Sequence, residues 1–202
     1  MSFLGFIWIR EAWLSHRWVF LLLMWGCLPL AAQSAEVLNT SVVRQQGRFI
    51  LHSETLVRAT VSAVRRIFSD YKNLHRINPN IKRVEVLERF KDGTVRMGVS
   101  SDFCVLKICL NFVWVQDVRS RTDIDIGIAI VPDRGDFREG SGRWRLLPDA
   151  GGTRLMFDID LTPNFWIPPV FGSWLMKRQL AEEAFETARG LERIVMGGSD
   201  HS

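Results

Sequence analysis

The sequence predicts an α+β fold, a curved antiparallel sheet with one face covered by a long C-terminal helix. Three observations point to it. Short segments of alternating apolar and polar residues succeed one another from residue 81 to residue 161, and a period of two marks strands with one buried and one wet face. Turn signals separate them at close intervals, which implies an antiparallel meander. The chain then closes with a stretch, about Phe171 to Val195, whose apolar residues recur at helical spacing. A sheet with one apolar face needs a cover, and this helix supplies it.

The elements are preceded by a leader. Arg10 and Arg17 stand before Trp18–Ala32, which carries no charge, and small residues follow in Ala32-Gln33-Ser34-Ala35. A basic flank, a short apolar core and a small-residue end describe a secretory signal peptide over residues 1–35, cleaved after Ser34 or Ala35. The apolar core is shorter than the roughly 20 residues of a membrane span, and Pro29 suits a cleavage region better than a continuing helix. The alternative is an uncleaved N-terminal anchor, helped by the apolar run Phe3–Ile9. A lipid-bearing Cys27 fits poorly, because Trp25 stands where a small residue is needed. The expected location is therefore periplasmic or secreted, or else anchored to the cytoplasmic membrane.

Without Arg10, Arg17 and Glu11 the remaining 167 or so residues carry 24 basic and 21 acidic side chains. That length supports one domain with a real core. The mild positive charge is spread along the chain, with no Lys/Arg cluster able to track a phosphate backbone, so nucleic acid is not an expected partner. Residues 36–47 read as a loose polar lead-in.

Arg48 to Val57 is rich in β-branched and aromatic residues and reads as a strand. Thr60 to Leu74 reads as a helix with Val61, Val64, Ile67, Phe68 and Tyr71 on one side, ended by the turn Asn78-Pro79-Asn80. Strands follow at Ile81–Arg89, Thr94–Ser101, Asn111–Val118, Thr122–Val131, Gly142–Leu147 and Arg154–Leu161. In the cleanest of these, Ile124, Ile126, Ile128 and Ile130 share one face. On the C-terminal helix, Trp174, Ala181, Phe185, Ala188, Leu191 and Val195 are expected to face the sheet. A long last helix lying across a curved sheet is a helix-grip arrangement.

The chain resembles the START-like (SRPBCC) superfamily, most closely its coenzyme Q-binding and polyketide cyclase/dehydrase branch. The resemblance is carried by Val64-Arg65-Arg66-Ile67-Phe68-Ser69-Asp70-Tyr71, by Ile77-Asn78-Pro79-Asn80, by Gly140-Ser141-Gly142-Arg143-Trp144-Arg145-Leu146-Leu147-Pro148 and by Ala184-Phe185-Glu186-Thr187-Ala188-Arg189. It runs from about Phe49 to Ile194 and implies a START-like ligand-binding domain at 48–196, followed by a disordered tail at 197–202. It also implies a cavity between sheet and helix for an apolar ligand, typically a lipid, isoprenoid or polycyclic molecule. Cytoplasmic relatives include a protein described as acting on ribosome association; the leader and paired cysteines of this chain depart from that pattern.

Catalytic signatures are lacking. No G-x-S-x-G, H-E-x-x-H or phosphate-loop motif occurs. His52 reads as a packed or rim histidine, His75 as a surface residue and His201 as a terminal one. Asp123, Asp125, Asp158 and Asp160 alternate with buried positions and so face outward, whereas a catalytic carboxylate pair belongs in a cleft that tunes its pKa. No catalytic residue, metal site or cofactor is expected. Cys104 and Cys109 admit three readings. As metal ligands they lack companions, and as a redox pair they lack C-x-x-C spacing. As a disulfide they would face each other across a hairpin, and this is the preferred reading.

The apolar interior remains. Met97, Val99, Phe112, Trp114, Ile126, Ile128, Trp144, Phe157 and Ile159 form an aromatic-aliphatic surface faced by Trp174 and Phe185, and most of it fills a core. One helix across a curved sheet leaves room for a pocket of the size that takes small apolar ligands. The segment Pro163–Gly172 reads either as a stiff connector or as a lid or membrane-touching lip, with Trp166 at the cavity. The expected function is binding or transport of a hydrophobic ligand (lipid, isoprenoid or quinone-like), with transient contact to a membrane surface. The alternatives are a cyclase/dehydrase-type enzyme using the same cavity and an interaction module with a solid core.

Overall fold

Alternation of buried and exposed side chains sets the architecture. The computed structural model of the 202-residue chain describes residues 36–105, 108–167 and 172–198, so the leader and the residues after 198 lie outside the described region. Eight strands form one antiparallel sheet: β1 (Glu36–Gln45), β2 (Arg48–Val57), β3 (Ile81–Arg89), β4 (Val95–Val105), β5 (Ile108–Thr122), β6 (Asp125–Gly135), β7 (Phe137–Asp149) and β8 (Gly152–Pro163). Their spatial order is β1-β2-β8-β7-β6-β5-β4-β3. The meander from β3 to β8 thus returns to pair with β2, in the register Phe49↔Leu161 to Val57↔Thr153. Along β2, Phe49, Leu51, Ser53, Thr55 and Val57 are buried while the residues between them are not, as a sheet covered on one face requires.

Two helices lie on the inner face, α1 (Val61–Ser69) and α2 (Gly172–Gly198). The Thr60 hydroxyl accepts the Ala63 N–H at 3.3 Å and caps α1. The single helix expected over Thr60–Leu74 is interrupted at Asp70 (φ −86°, ψ 68°), and a 3₁₀ helix follows at Tyr71–Arg76. Val64 of α1 joins Ile77, Val95, Met97, Val118, Ile126, Leu146, Leu155, Ala188 and Leu191 in the main core. A smaller cluster of Phe49, Leu51, Ile167 and Leu180 closes the other end of α2.

Several expectations need correction. Residues 36–45 are not a loose lead-in but β1, paired with β2 from Glu36↔Leu56 to Gln45↔Arg48. Hydrogen bonds along one edge hold this polar strand, so it shows no apolar alternation. Ile124 does not share the buried face of Ile126 and Ile130. It sits in the tight turn closed by Thr122↔Asp125 and is 41% exposed. β7 begins at Phe137, earlier than its apolar alternation suggested, and α2 runs to Gly198, past the expected domain end.

Candidate functional site

The inner face is not uniformly sealed. Met97, Val99, Phe112 and Ile126, all expected at the cavity, are buried. Trp114, Ile128, Trp144, Phe157 and Ile159 point to the same face from β5, β6, β7 and β8 and are only half-buried. Trp144 stacks on Phe157 with centroids 3.8 Å apart and 13° between planes, and Phe68 of α1 lies 5.1 Å from Trp144. A second aromatic group joins Phe112, Phe137 and Phe165, with Phe112 and Phe165 5.0 Å apart. Between Ile128 and Ile159 stands Gly142, register partner of both. It brings no side chain to the floor there, and a Cβ added at this position would just touch Ile159 Cγ1 at 3.4 Å and Ile128 Cβ at 3.5 Å.

Three of the residues expected at this cavity lie elsewhere. Trp166 is 78% exposed and Trp174 is 58% exposed, so neither lines it. Phe185 belongs to neither core cluster of α2 and carries the Arg189 guanidinium 5.4 Å from its ring centroid. The reason is the rotation of α2. At about 100° per residue, Trp174 and Phe185 stand well off the buried stripe of Leu180, Ala184, Ala188 and Leu191. Ala188 and Leu191, expected to face the sheet, are fully buried and Val195 packs on the main core, whereas the two large aromatic side chains stand off that stripe.

The polar residues behind α2 escaped sequence reasoning. Glu183 accepts Asn78 Nδ2 at 2.5 Å, Asn80 Nδ2 at 2.6 Å and Gln179 Nε2 at 2.9 Å. Asn78 is 2% exposed, and its Oδ1 accepts the Asn80 N–H at 2.9 Å. Burial pushes the Glu183 carboxyl above the ordinary carboxylate range, outweighing the three amide donors, and Glu186 adds to the rise. The sequence signal was Asn78-Pro79-Asn80, which read as a turn and as part of the family resemblance, with no role for its amides. On the floor itself, Trp114 Nε1 donates to Gln116 Oε1 at 2.8 Å. These polar groups are thus engaged with other protein atoms.

The outer face holds the residues expected to point away. Asp158 accepts Arg145 Nη2 at 2.9 Å and lies 2.6 Å from His52 Nδ1. Burial raises the Asp158 carboxyl, but hydrogen bonds and charge from His52 and Arg145 outweigh it and leave it below its ordinary value. Asp125 meets Arg143, and Asp160 meets Arg48. Cys104 and Cys109 are register partners across β4 and β5, with Cα atoms 4.0 Å and sulfurs 2.08 Å apart. Among the described residues no group of three or more His, Cys, Asp or Glu side chains is arranged to hold a metal, and no helix is long and apolar enough to cross a membrane.

The model of the family described as polyketide cyclase/dehydrase and lipid transport matches residues 48–195. No curated protein matches the chain. Among solved structures, it is similar to a START superfamily protein from Mycobacterium smegmatis (21% identity, TM-score 0.58, covering 74% of this chain and 97% of that one). It is similar to the Zhui aromatase/cyclase from Streptomyces sp. R1128 (13%, 0.57, 76% and 92%). A STAR-related lipid transfer protein from Xanthomonas axonopodis gives 18% identity and a TM-score of 0.55 over 78% of this chain and 98% of the solved fragment. At these identities the likeness establishes the helix-grip fold.

Proposed function

From the premise that the chain belongs to the polyketide cyclase/dehydrase and lipid transport family, we propose that it binds a hydrophobic ligand between the sheet and α2 without transforming it. The observation that carries this reading is the half-buried apolar floor of Trp114, Ile128, Trp144, Phe157 and Ile159, with Gly142 between the two isoleucines. Apolar surface left uncovered on an inner face costs about 25 cal/mol per Å² relative to a covered one, and an apolar ligand covers it. The cyclase/dehydrase alternative needs a polar group free to act on that ligand. Glu183 is the one carboxyl with a raised pKa among the described residues. Its oxygens are occupied by Asn78, Asn80 and Gln179, which favours binding over catalysis.

The reading extends to location. The basic-flanked apolar leader and the opposed pair Cys104/Cys109 support a place outside the cytoplasm, where disulfides persist. Native mass spectrometry of the gently purified full chain tests the function. An adduct of defined mass, lipid-like and released by organic solvent, is the expected result. A clean ligand-free mass from the native host would overturn it.

A further inference from the structure

Exposed tryptophans and basic side chains that meet no carboxylate among the described residues coincide at one end of the sheet. Residues Phe165 to Ile167, after β8, alternate in direction. Phe165 packs on Phe112 and Phe137, and Ile167 is buried with Phe49, Leu51 and Leu180. Trp166, held between these two anchors, is 78% exposed. It rims a groove of about 350 Å³ that Arg44 and Arg138 also line. Arg44 Nη1 donates to Ser173 Oγ at 2.7 Å, which ties the groove to the first turn of α2. The next residue, Trp174, is again exposed, with the Arg178 guanidinium 5.7 Å from its ring centroid.

The charge pattern of this end differs from that of the outer face. There, Arg48, Arg96, Arg143, Arg145 and Arg154 each meet a carboxylate. Arg44 meets a hydroxyl and Arg178 an indole, and Arg138 and Lys177 have no carboxylate partner among the described residues. Glu139, beside Arg138, accepts the Thr162 hydroxyl at 3.2 Å. Tryptophan settles at the headgroup level of a bilayer, and basic side chains beside it are drawn to anionic lipid.

We propose that this end of the molecule docks on an anionic phospholipid bilayer, with Trp166 and Trp174 at the headgroups and Arg44, Arg138 and Arg178 facing lipid phosphates. The test is hydrogen exchange of the full chain on vesicles of equal phosphatidylglycerol and phosphatidylcholine, and on phosphatidylcholine alone. An apolar leader can hold the chain on either surface, so the local protection of residues 162–167 and 173–178 is the reading. Protection is expected on the anionic vesicles only, falling about five-fold for each charge removed in Arg138→Gln and in Arg44→Gln/Arg138→Gln. Arg119→Gln, an equal loss of charge on the exposed far side of β5, should leave protection unchanged. The proposal fails if these segments exchange as fast on anionic vesicles as in solution. It fails equally if phosphatidylcholine alone protects them to the same extent, or if Arg119→Gln weakens protection as much. Docking is read without reference to bound ligand, so its failure and that of the ligand-binding reading are separate results.

Discussion

Gly190 decides how closely α2 approaches the chain it crosses. A Cβ at that position would lie 1.5 Å from the carbonyl oxygen of Ile77, a backbone atom with no rotamer to escape into. On an exposed helix, Gly→Ala stabilises by about 1 kcal/mol; here overpacking reverses the sign, and Gly190→Ala is expected to cost about 3 kcal/mol in chemical unfolding. An unchanged or raised midpoint would show that α2 does not cross so closely. Seven positions earlier, Glu183 sets a pH dependence. Its folded pKa is raised by burial, so ionisation is harder folded than unfolded. The penalty is absent below the ordinary carboxylate pKa, and it grows as pH rises through the folded value. Stability of the native chain relative to Glu183→Gln should therefore decline from acid toward neutral pH, measured as unfolding free energy across that range. A flat difference would place Glu183 in a solvated site, and a rising one would mean that folding favours its ionised form.

At the scale of elements, strands with one buried face were legible because period two survives any change of neighbour. β2 and β3 match their expected bounds, and the covering helix was found from its 3.6 period. What failed were features that periodicity does not encode. β1 is fixed by pairing to a single neighbour, and the face of α2 is fixed by small residues that let backbones approach. Large aromatic side chains at Trp174 and Phe185 outweighed Ala184 and Gly190 in a reading by hydrophobicity, although the small residues make the contact. The β4–β5 hairpin carries its own prediction. A cross-link closing so short a loop contributes about 2 kcal/mol, so Cys104→Ser/Cys109→Ser should lower stability by that amount with unchanged circular dichroism. Native protein should take up no thiol reagent at these positions until reduced. Two reactive thiols before reduction would remove the staple and weaken the proposal of an extracytoplasmic location.

For the whole molecule, the site was half legible. The inner strand faces could be assembled from alternation, and they do come together. Which of those side chains stay partly open could not be, because that depends on how α1 and α2 divide the cover between them. The two helices and their clusters seal the ends of the inner face, with Met97, Val99 and Ile126 closed in one and Phe49 and Leu51 in the other. Trp114, Ile128, Trp144, Phe157 and Ile159 are left half-covered. Gly142 is the deepest sign of that division, since it subtracts a side chain where two isoleucines flank it. Its backbone is ordinary for a strand, so Gly142→Val adds no strain of conformation and suits β-structure. The new Cβ meets its neighbours at 3.4–3.5 Å, at ordinary contact, and the two γ-methyl groups beyond it add bulk to the floor. The variant should fold with an unchanged or higher unfolding midpoint and lose bound ligand about ten-fold, equal to ~1.4 kcal/mol, in native mass spectra taken beside the parent protein. Retention of the same adduct by a folded Gly142→Val protein would move the ligand away from this floor.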